Sequence, residues 1–247
     1  MPNSSRKPLS SDGAPSPESA TGLSGITLLQ SLDPAALHAL ERRCSWRRWA
    51  AGEQIIDREN DTNDVYFIVR GRARVVDYSM SGHREVVFDE IAAGGFFGEL
   101  AAIDGEPRSA NIVAVQETVT ASLSAAAFID ILFEHRELGL ALMRRLTEMI
   151  RQSTVRIMDL STLGANNRIY AELLRLAKTG GGLPRNQAVI HPIPVHSDIA
   201  ARVSTTRETV ARVLSELTHR GLLRRDHDSL MILDLEAFTQ LVRRFRE

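Results

Sequence analysis

Gly95-Phe96-Phe97-Gly98-Glu99-Leu100-Ala101-Ala102-Ile103-Asp104-Gly105-Glu106-Pro107-Arg108-Ser109-Ala110 is the stretch from which the rest of this chain is read. Gly98 lets the backbone come close to a ligand and expose its N–H groups. Leu100 to Ile103 reads as one short helical turn, so the amides of Gly98 and Glu99 sit where a helix N-terminus favours an anion. Glu99 supplies an acceptor for a sugar hydroxyl. Arg108 supplies a planar cation for a phosphate, and Ser109 a hydroxyl for another phosphate oxygen. A phosphate and a sugar hydroxyl held together describe a nucleotide, and a cradle this small suits a cyclic one. Spacing alone equally admits a structural Glu99–Arg108 ion pair beside a glycine turn.

Around this stretch, from Cys44 to about Leu123, short apolar runs alternate with turn signals. The runs are Gln54–Ile56, Val65–Val69, Ala73–Val76, Glu85–Phe88, Asn111–Val115 and Val119–Leu123, broken at Gly52, Asn60-Asp61, Gly71, Ser81-Gly82 and Gly94-Gly95. Many short strands at near-regular spacing predict a β-sandwich or β-roll, with the opening stretch as its one interruption. Before it, Asp33 reads as an N-cap with Pro34 at N1, opening a helix with Leu37 and Leu40 on its apolar face. Residues 1–24 are rich in Ser, Pro and Gly and read as a disordered tail.

After Ser124 the period becomes helical. A short helix is expected over Ala125–Phe133 and a longer one from about Glu137 to Leu163. Leu146, Ile150, Ser153, Ile157, Leu160 and Gly164 recur along it at steps of four and three, the pattern of a coiled-coil seam. That pattern fits a parallel homodimer, with packing on the chain's own β-domain as the alternative. Ser153 in this seam and Thr154 beside it either back-bond to helix carbonyls or meet a ligand at the dimer contact. Gly164-Ala165-Asn166 reads as a hinge with Asn166 capping the next helix, Asn167–Lys178, followed by a loop over Gly180–Pro184.

The last third holds a helix over Ser197–Val203, a turn at Ser204, and a second helix capped by Thr205 or Thr206 and running from Arg207 to Leu217. Val210, Val213, Leu214 and Leu217 form its buried face, leaving Arg207, Glu208 and Arg212 outside. From His196 to Arg225 there are six arginines against three acids, a local charge of +3 in a chain of formal net charge −1. Arginines near a helix N-terminus suit guanine in a major groove, and Glu suits the amino group of cytosine. Leu222-Leu223 and Ser229–Leu233 read as two strands of a wing.

At 247 residues there is room for two domains. The single cysteine, Cys44, excludes a disulfide framework, a cysteine-ligated iron–sulfur cluster and an all-cysteine zinc site within one chain, and fits a reducing cytosol. Arg6 and Lys7 are not followed by an apolar run, so no secretory leader is expected, and no stretch is long and apolar enough to span a membrane. No nucleophile–base–orienter set accompanies Glu99 and Arg108, so an enzyme is not expected.

Phe97-Gly98-Glu99-Leu100-Ala101 with Pro107-Arg108-Ser109-Ala110 resembles the phosphate-binding cassette of cyclic-nucleotide-binding domains. The resemblance implies that Glu99 takes the ribose 2′-hydroxyl and Arg108 the cyclic phosphate, with Gly98, Leu100 and Ser109 around them. Thr206-Arg207-Glu208-Thr209-Val210, with Arg212 beyond, resembles the recognition helix of the catabolite-activator and fumarate–nitrate-regulator superfamily of bacterial transcription factors. It implies that Arg207, Glu208 and Arg212 read bases of double-stranded DNA. Aligned on Arg168-Ile169, Ser153 and Thr154 fall on the family's two base-contacting hydroxyls, one from each subunit. His196 stands where that family often has a phosphate-contacting arginine. The expected fold is α+β: tail 1–24, cyclic-nucleotide-binding β-roll 25–136, dimerisation helix and hinge 137–164, and winged helix-turn-helix 165–247. The resemblance implies a cytoplasmic homodimeric regulator that partners RNA polymerase, with no cofactor beyond its effector. That effector is cyclic AMP by default, with cyclic GMP or a ligand-independent regulator of the superfamily as the alternatives, since the hydroxyls of Ser109, Ser153 and Thr154 suit either base.

Overall fold

Asp33 takes extended backbone and its carboxylate accepts from the Ala36 amide, so α1 (Pro34–Arg43) starts where a proline at the first helical position needs no donor. The computed structural model describes residues 22–78, 85–179, 182–183 (backbone only) and 186–245. Of the expected tail, residues 1–21 lie outside this range. Its last residues are not a tail: Gly22–Gly25 is a 3-10 turn with Leu23 wholly buried.

The chain divides into two units, one of residues 1–76 with Asp89–Arg144, the other of Asp77–Phe88 with Arg145–Glu247. The first is built on eight strands: β1 (Ser45–Trp49), β2 (Gln54–Ile56), β3 (Val65–Arg70), β4 (Arg72–Tyr78), β5 (Glu85–Ala92), β6 (Phe96–Phe97), β7 (Asn111–Ala114) and β8 (Thr118–Leu123), of which β4 and β5 run on into the second unit. They form two four-stranded sheets, ordered β1-β8-β3-β6 and β2-β7-β4-β5. Trp49, Ile55, Ile56, Ile68, Ala73, Phe97, Ile112 and Ala114 make one apolar cluster drawn from both sheets. The Trp49 indole N–H donates to Thr120 Oγ1 at 2.8 Å, so this buried ring keeps its one polar group satisfied. The Ser81-Gly82 turn lies outside the described residues. The sequence pattern misses β1, whose Ser-Trp-Arg-Arg-Trp carries charge where alternation would put apolar groups; Arg47 lies over the Trp49 ring at 3.7 Å instead.

α2 (Glu99–Asp104) interrupts the strands, as the glycine-flanked stretch predicts. α3 (Ala125–Glu134) starts at Ser124, whose hydroxyl accepts from the Ala127 amide. The long helix α4 (Arg136–Thr162) buries only Leu138 and Leu142. Along its seam Ile150 is 67% exposed and Ile157 63% exposed, so this face finds no cover within the chain's described residues.

The second unit continues with α5 (Ala165–Thr179), β9 (Gly182–Leu183), β10 (Gln187–Ile190), α6 (His196–Arg202), α7 (Arg207–His219), β11 (Leu223–Asp226), β12 (Ser229–Ile232) and α8 (Leu235–Arg243). Two expectations need correction. α5 begins at Ala165, so Asn166 lies inside the helix and is not its cap. Within the expected Gly180–Pro184 loop, Gly182 and Leu183 pair with Ala188 and Gln187, adding an edge strand to the sheet β11-β12-β10-β9. The core of this unit gathers Ile169, Leu173, Ile199, Val210, Val213, Leu217, Ile232 and Phe238 from helices and wing alike.

Phe67 and Phe238 are both fully buried, one in each unit. Either phenylalanine replaced by alanine is expected to cost about 3–5 kcal/mol, read as a lower denaturation midpoint in urea.

Candidate functional site

The opening stretch places its glycine where only glycine fits. Gly98 is the N-cap of α2 with φ +88°, a left-handed conformation that side chains disfavour. A Cβ there would lie 2.7 Å from the Asp64 carbonyl oxygen and 2.8 Å from Arg108 Nη1. The bare backbone lets the Gly98 carbonyl accept from Arg108 Nη1 at 3.1 Å. Nη2 donates to the Asp64 carbonyl at 2.9 Å, at the start of β3. Nε and Nη2 both donate to Thr62 Oγ1, each at 3.3 Å.

Arg108 is therefore 3% exposed and hydrogen-bonded to neutral oxygens alone. Burial pulls its guanidinium below the ordinary arginine range, and Tyr66, Asp64 and Glu99 push the other way. Of the two readings that spacing left open, the hydrogen bonds of Arg108 among the described residues favour the cradle: they go to Thr62, Asp64 and Gly98 oxygens, while the Glu99 charge acts on the guanidinium without a hydrogen bond. Glu99, 6% exposed, sits in the first turn of α2. Leu100 and Ser109 are exposed beside these two buried groups. The cassette thus places a buried cation, a buried carboxylate and an exposed hydroxyl on one short segment.

Thr62 and the Asp64 carbonyl are missed by sequence reading. Asp61-Thr62-Asn63-Asp64 looks like an ordinary polar turn, and its link to Arg108 spans 46 residues for Thr62 and 44 for Asp64. Ser153 and Thr154 belong to the second unit, both exposed on α4. Thr154 back-bonds to the Ile150 carbonyl at 3.0 Å, which uses its donor and leaves its lone pairs for a further donor.

The second constellation starts at Thr206. Its hydroxyl accepts from the Thr209 amide at 3.2 Å and caps α7, so Arg207, Glu208 and Arg212 all lie exposed on the first turn and a half. Val210, Val213 and Leu217 hold the opposite face in the core. Bonds from its own amide and from the Thr206 hydroxyl keep the Glu208 carboxyl below the usual range, so it is a ready acceptor. Arg212 Nη2 reaches Asn166 Oδ1 at 3.5 Å, the limit of a hydrogen bond. His196 opens α6, half-buried. The turn joining α6 and α7 is anchored by Arg168, which donates to the carbonyls of Val203 at 2.8 Å, Ser204 at 3.1 Å and Leu163 at 2.7 Å. Among the described residues no group of three His, Cys, Asp or Glu could hold a metal, and no helix is long and apolar enough to cross a membrane.

A β-rich ligand domain, a long helix and a winged helix-turn-helix define the class of two-domain transcription regulators. Comparison with known proteins gives the family. Residues 46–135 match the cyclic nucleotide-binding domain and residues 167–241 the Crp-like helix-turn-helix domain, so the chain belongs among the Crp-like transcription regulators and is not an enzyme. It is 26% identical over 221 residues to a CRP-like cAMP-activated global transcriptional regulator of Mycobacterium tuberculosis, covering 87% of this chain and 96% of that one. It is 28% identical over 204 residues to the cAMP-activated global transcriptional regulator Vfr of Pseudomonas aeruginosa, covering 79% and 90%. In fold it is similar to a CooA mutant from Carboxydothermus hydrogenoformans, with TM-score 0.75 at 20% identity over 87% of this chain and 94% of that one. Together the domains and relatives make it a cyclic-nucleotide-responsive, DNA-binding regulator.

Gly98→Ala forces a Cβ between Arg108 and the Asp64 carbonyl at a left-handed position, and is expected to destabilise the chain by about 1–3 kcal/mol in chemical denaturation. A second expectation concerns Cys44. Burial first, then Glu41, pushes its thiol up to about 12. At pH 8 its thiolate fraction is then far below that of an ordinary cysteine, so a disulfide reagent should label the native chain orders of magnitude more slowly than the urea-unfolded chain. Equal rates would contradict it.

Proposed function

We propose that this chain is a homodimeric, cytoplasmic transcription regulator whose effector is cyclic AMP and whose operators are inverted repeats. The observation that carries the reading is Arg108, a cation almost wholly out of water and bonded only to neutral oxygens. Such a group is stabilised by an anion, and a cyclic phosphate supplies one beside an acceptor, Glu99, suited to a ribose hydroxyl. Ser109 adds a hydroxyl at the rim, Gly98 the close backbone approach, and Leu100 an apolar contact. The cAMP-activated relatives support the choice of nucleotide. Cyclic GMP is the second reading, favoured by the exposed Ser109 hydroxyl, which can accept a guanine amine as readily as it binds phosphate.

The exposed seam of α4 supports the homodimer, because Ile150 and Ile157 lack apolar cover. In that dimer Ser153 and Thr154 reach the base, one from each subunit. Twofold symmetry sets two copies of α7 in successive major grooves. Arg207, Glu208 and Arg212 read base edges there, Thr206 fixes the helix start, and His196 meets the backbone. RNA polymerase is the partner at the promoter. Ligand binding biases a two-state arrangement of hinge and recognition helices.

Calorimetry tests the effector. Arg108→Ala, checked for folding by thermal denaturation, removes charge-assisted bonds of about 1.5–3 kcal/mol each and should abolish measurable cyclic AMP binding. Near-native affinity in a folded Arg108→Ala variant would overturn the site. A wild type that binds cyclic GMP about tenfold tighter than cyclic AMP, about 1.4 kcal/mol, would exchange the effectors.

Mobility shifts and footprinting test the rest. Alanine at Arg207, Glu208 or Arg212 should weaken specific DNA binding by about 1–3 kcal/mol each and relax one base position. Footprints should show an inverted repeat with half-sites about one helical turn apart; a single half-site protected by a monomer would count against the dimer.

A further inference from the structure

A guanidinium carries five N–H donors: one on Nε and two on each Nη. In Arg108 four of the five are engaged. Nε–H and one N–H of Nη2 converge on Thr62 Oγ1; the other N–H of Nη2 goes to the Asp64 carbonyl; one N–H of Nη1 goes to the Gly98 carbonyl. A two-pronged bond to an oxyanion needs two donors side by side, from Nε with Nη2 or from Nη1 with Nη2. Both pairs include an engaged donor, so a phosphate that takes a two-pronged bond must displace an acceptor.

The three acceptors are not equally fixed. The Asp64 carbonyl opens β3, whose pairing with β8 holds the backbone, and the Gly98 carbonyl belongs to the N-cap of α2. Neither can leave without breaking the fold around it. Thr62 lies in the segment between β2 and β3, its side chain is exposed, and its two bonds are the longest of the four at 3.3 Å. It is a neutral acceptor shared between two donors, where a phosphate oxygen would make both bonds charge-assisted.

Resting on the reading of this cradle as a cyclic-nucleotide site, we propose that the Thr62 hydroxyl is a built-in competitor for the effector phosphate. It holds the Nε–Nη2 edge of Arg108 in the free chain and cedes that edge to a phosphate oxygen on binding. The guanidinium is thus held in its binding position before ligand arrives, and part of the nucleotide's affinity goes into displacing the hydroxyl. Thr62 is a positioning residue whose removal strengthens binding, the opposite of a residue that contacts ligand.

The test titrates the full-length wild type, Thr62→Val, Thr62→Ser and Arg108→Ala with cyclic AMP and with cyclic GMP. Valine keeps the shape of threonine and removes the acceptor. Thr62→Val should bind the preferred nucleotide roughly threefold to tenfold more tightly, the worth of one ordinary hydrogen bond. Thr62→Ser, which keeps the hydroxyl, should stay within about twofold of wild type. Unchanged or weaker binding by Thr62→Val, with wild type binding and Arg108→Ala not, would overturn the competitor role and leave the cradle standing. A wild type that binds neither nucleotide, or an Arg108→Ala variant that binds normally, would overturn the cradle itself and this inference with it.

Discussion

A cation taken out of water is the constraint on which the first unit turns. At 3% exposure the Arg108 guanidinium has lost most of its hydration, and only well-placed oxygens can replace it. Two of those oxygens are backbone carbonyls, and this fixes more than the arginine. The Asp64 carbonyl sets how β3 begins, and the Gly98 carbonyl sets how α2 begins. Because a Cβ at residue 98 would strike both the Asp64 carbonyl and Nη1, the glycine, the strand and the arginine are mutually required. β3 in turn lies between β8 and β6 in its sheet, so the cradle is tied directly into the β-framework.

How much of this is legible in sequence follows from the range of each interaction. The glycine-bounded turn of α2 and the cap at Asp33 are local, and local rules read them, as they read the cap of α7 down to two threonines of which Thr206 is the one used. The strands with apolar alternation are legible for the same reason. β1 is not, since its two consecutive arginines are exposed on opposite faces and one stacks on a neighbouring indole. β6 is only two residues long and vanishes inside the cassette. Asn166 reads as a cap by composition, yet α5 starts one residue earlier and the side chain points its oxygen to Arg212. Arg108 and Glu99 are visible by motif, whereas Thr62 is not, because nothing in a polar turn announces a bond across 46 residues.

The two units solve the arginine problem in contrasting ways. In the first, the Arg108 guanidinium is buried against the oxygens of Thr62, Asp64 and Gly98. In the second, arginines divide between those spent on structure and those left outside. Arg168 serves structure: each of its three nitrogens donates to a carbonyl, of Val203, Leu163 and Ser204. Arg207 and Arg212 project from α7, where local charge is positive in a chain that is nearly neutral. Burial and donor count decide which arginine does which, and residue type alone does not.

The consequence for the second unit lies in the turn between α6 and α7. A helix end leaves carbonyls without intrahelical partners, and something must supply donors. Here the carbonyls of three consecutive residues are taken by arginines from elsewhere in the unit: Arg202 by Arg156 at 2.8 Å, and Val203 and Ser204 by Arg168. Arg156 stands on α4, and it also donates to the carbonyls of Val87 and Phe88 on β5. Ser204 takes a left-handed φ of 52° in this turn, so its geometry is held by these bonds rather than by a glycine. The turn that leads into α7 is therefore held by two guanidiniums, one on α4 and one on α5. The break at Leu163-Gly164 lies between those helices, and the Leu163 carbonyl is itself a partner of Arg168. Specific donors, and not proximity alone, thus join α4 and α5 to the turn that precedes α7.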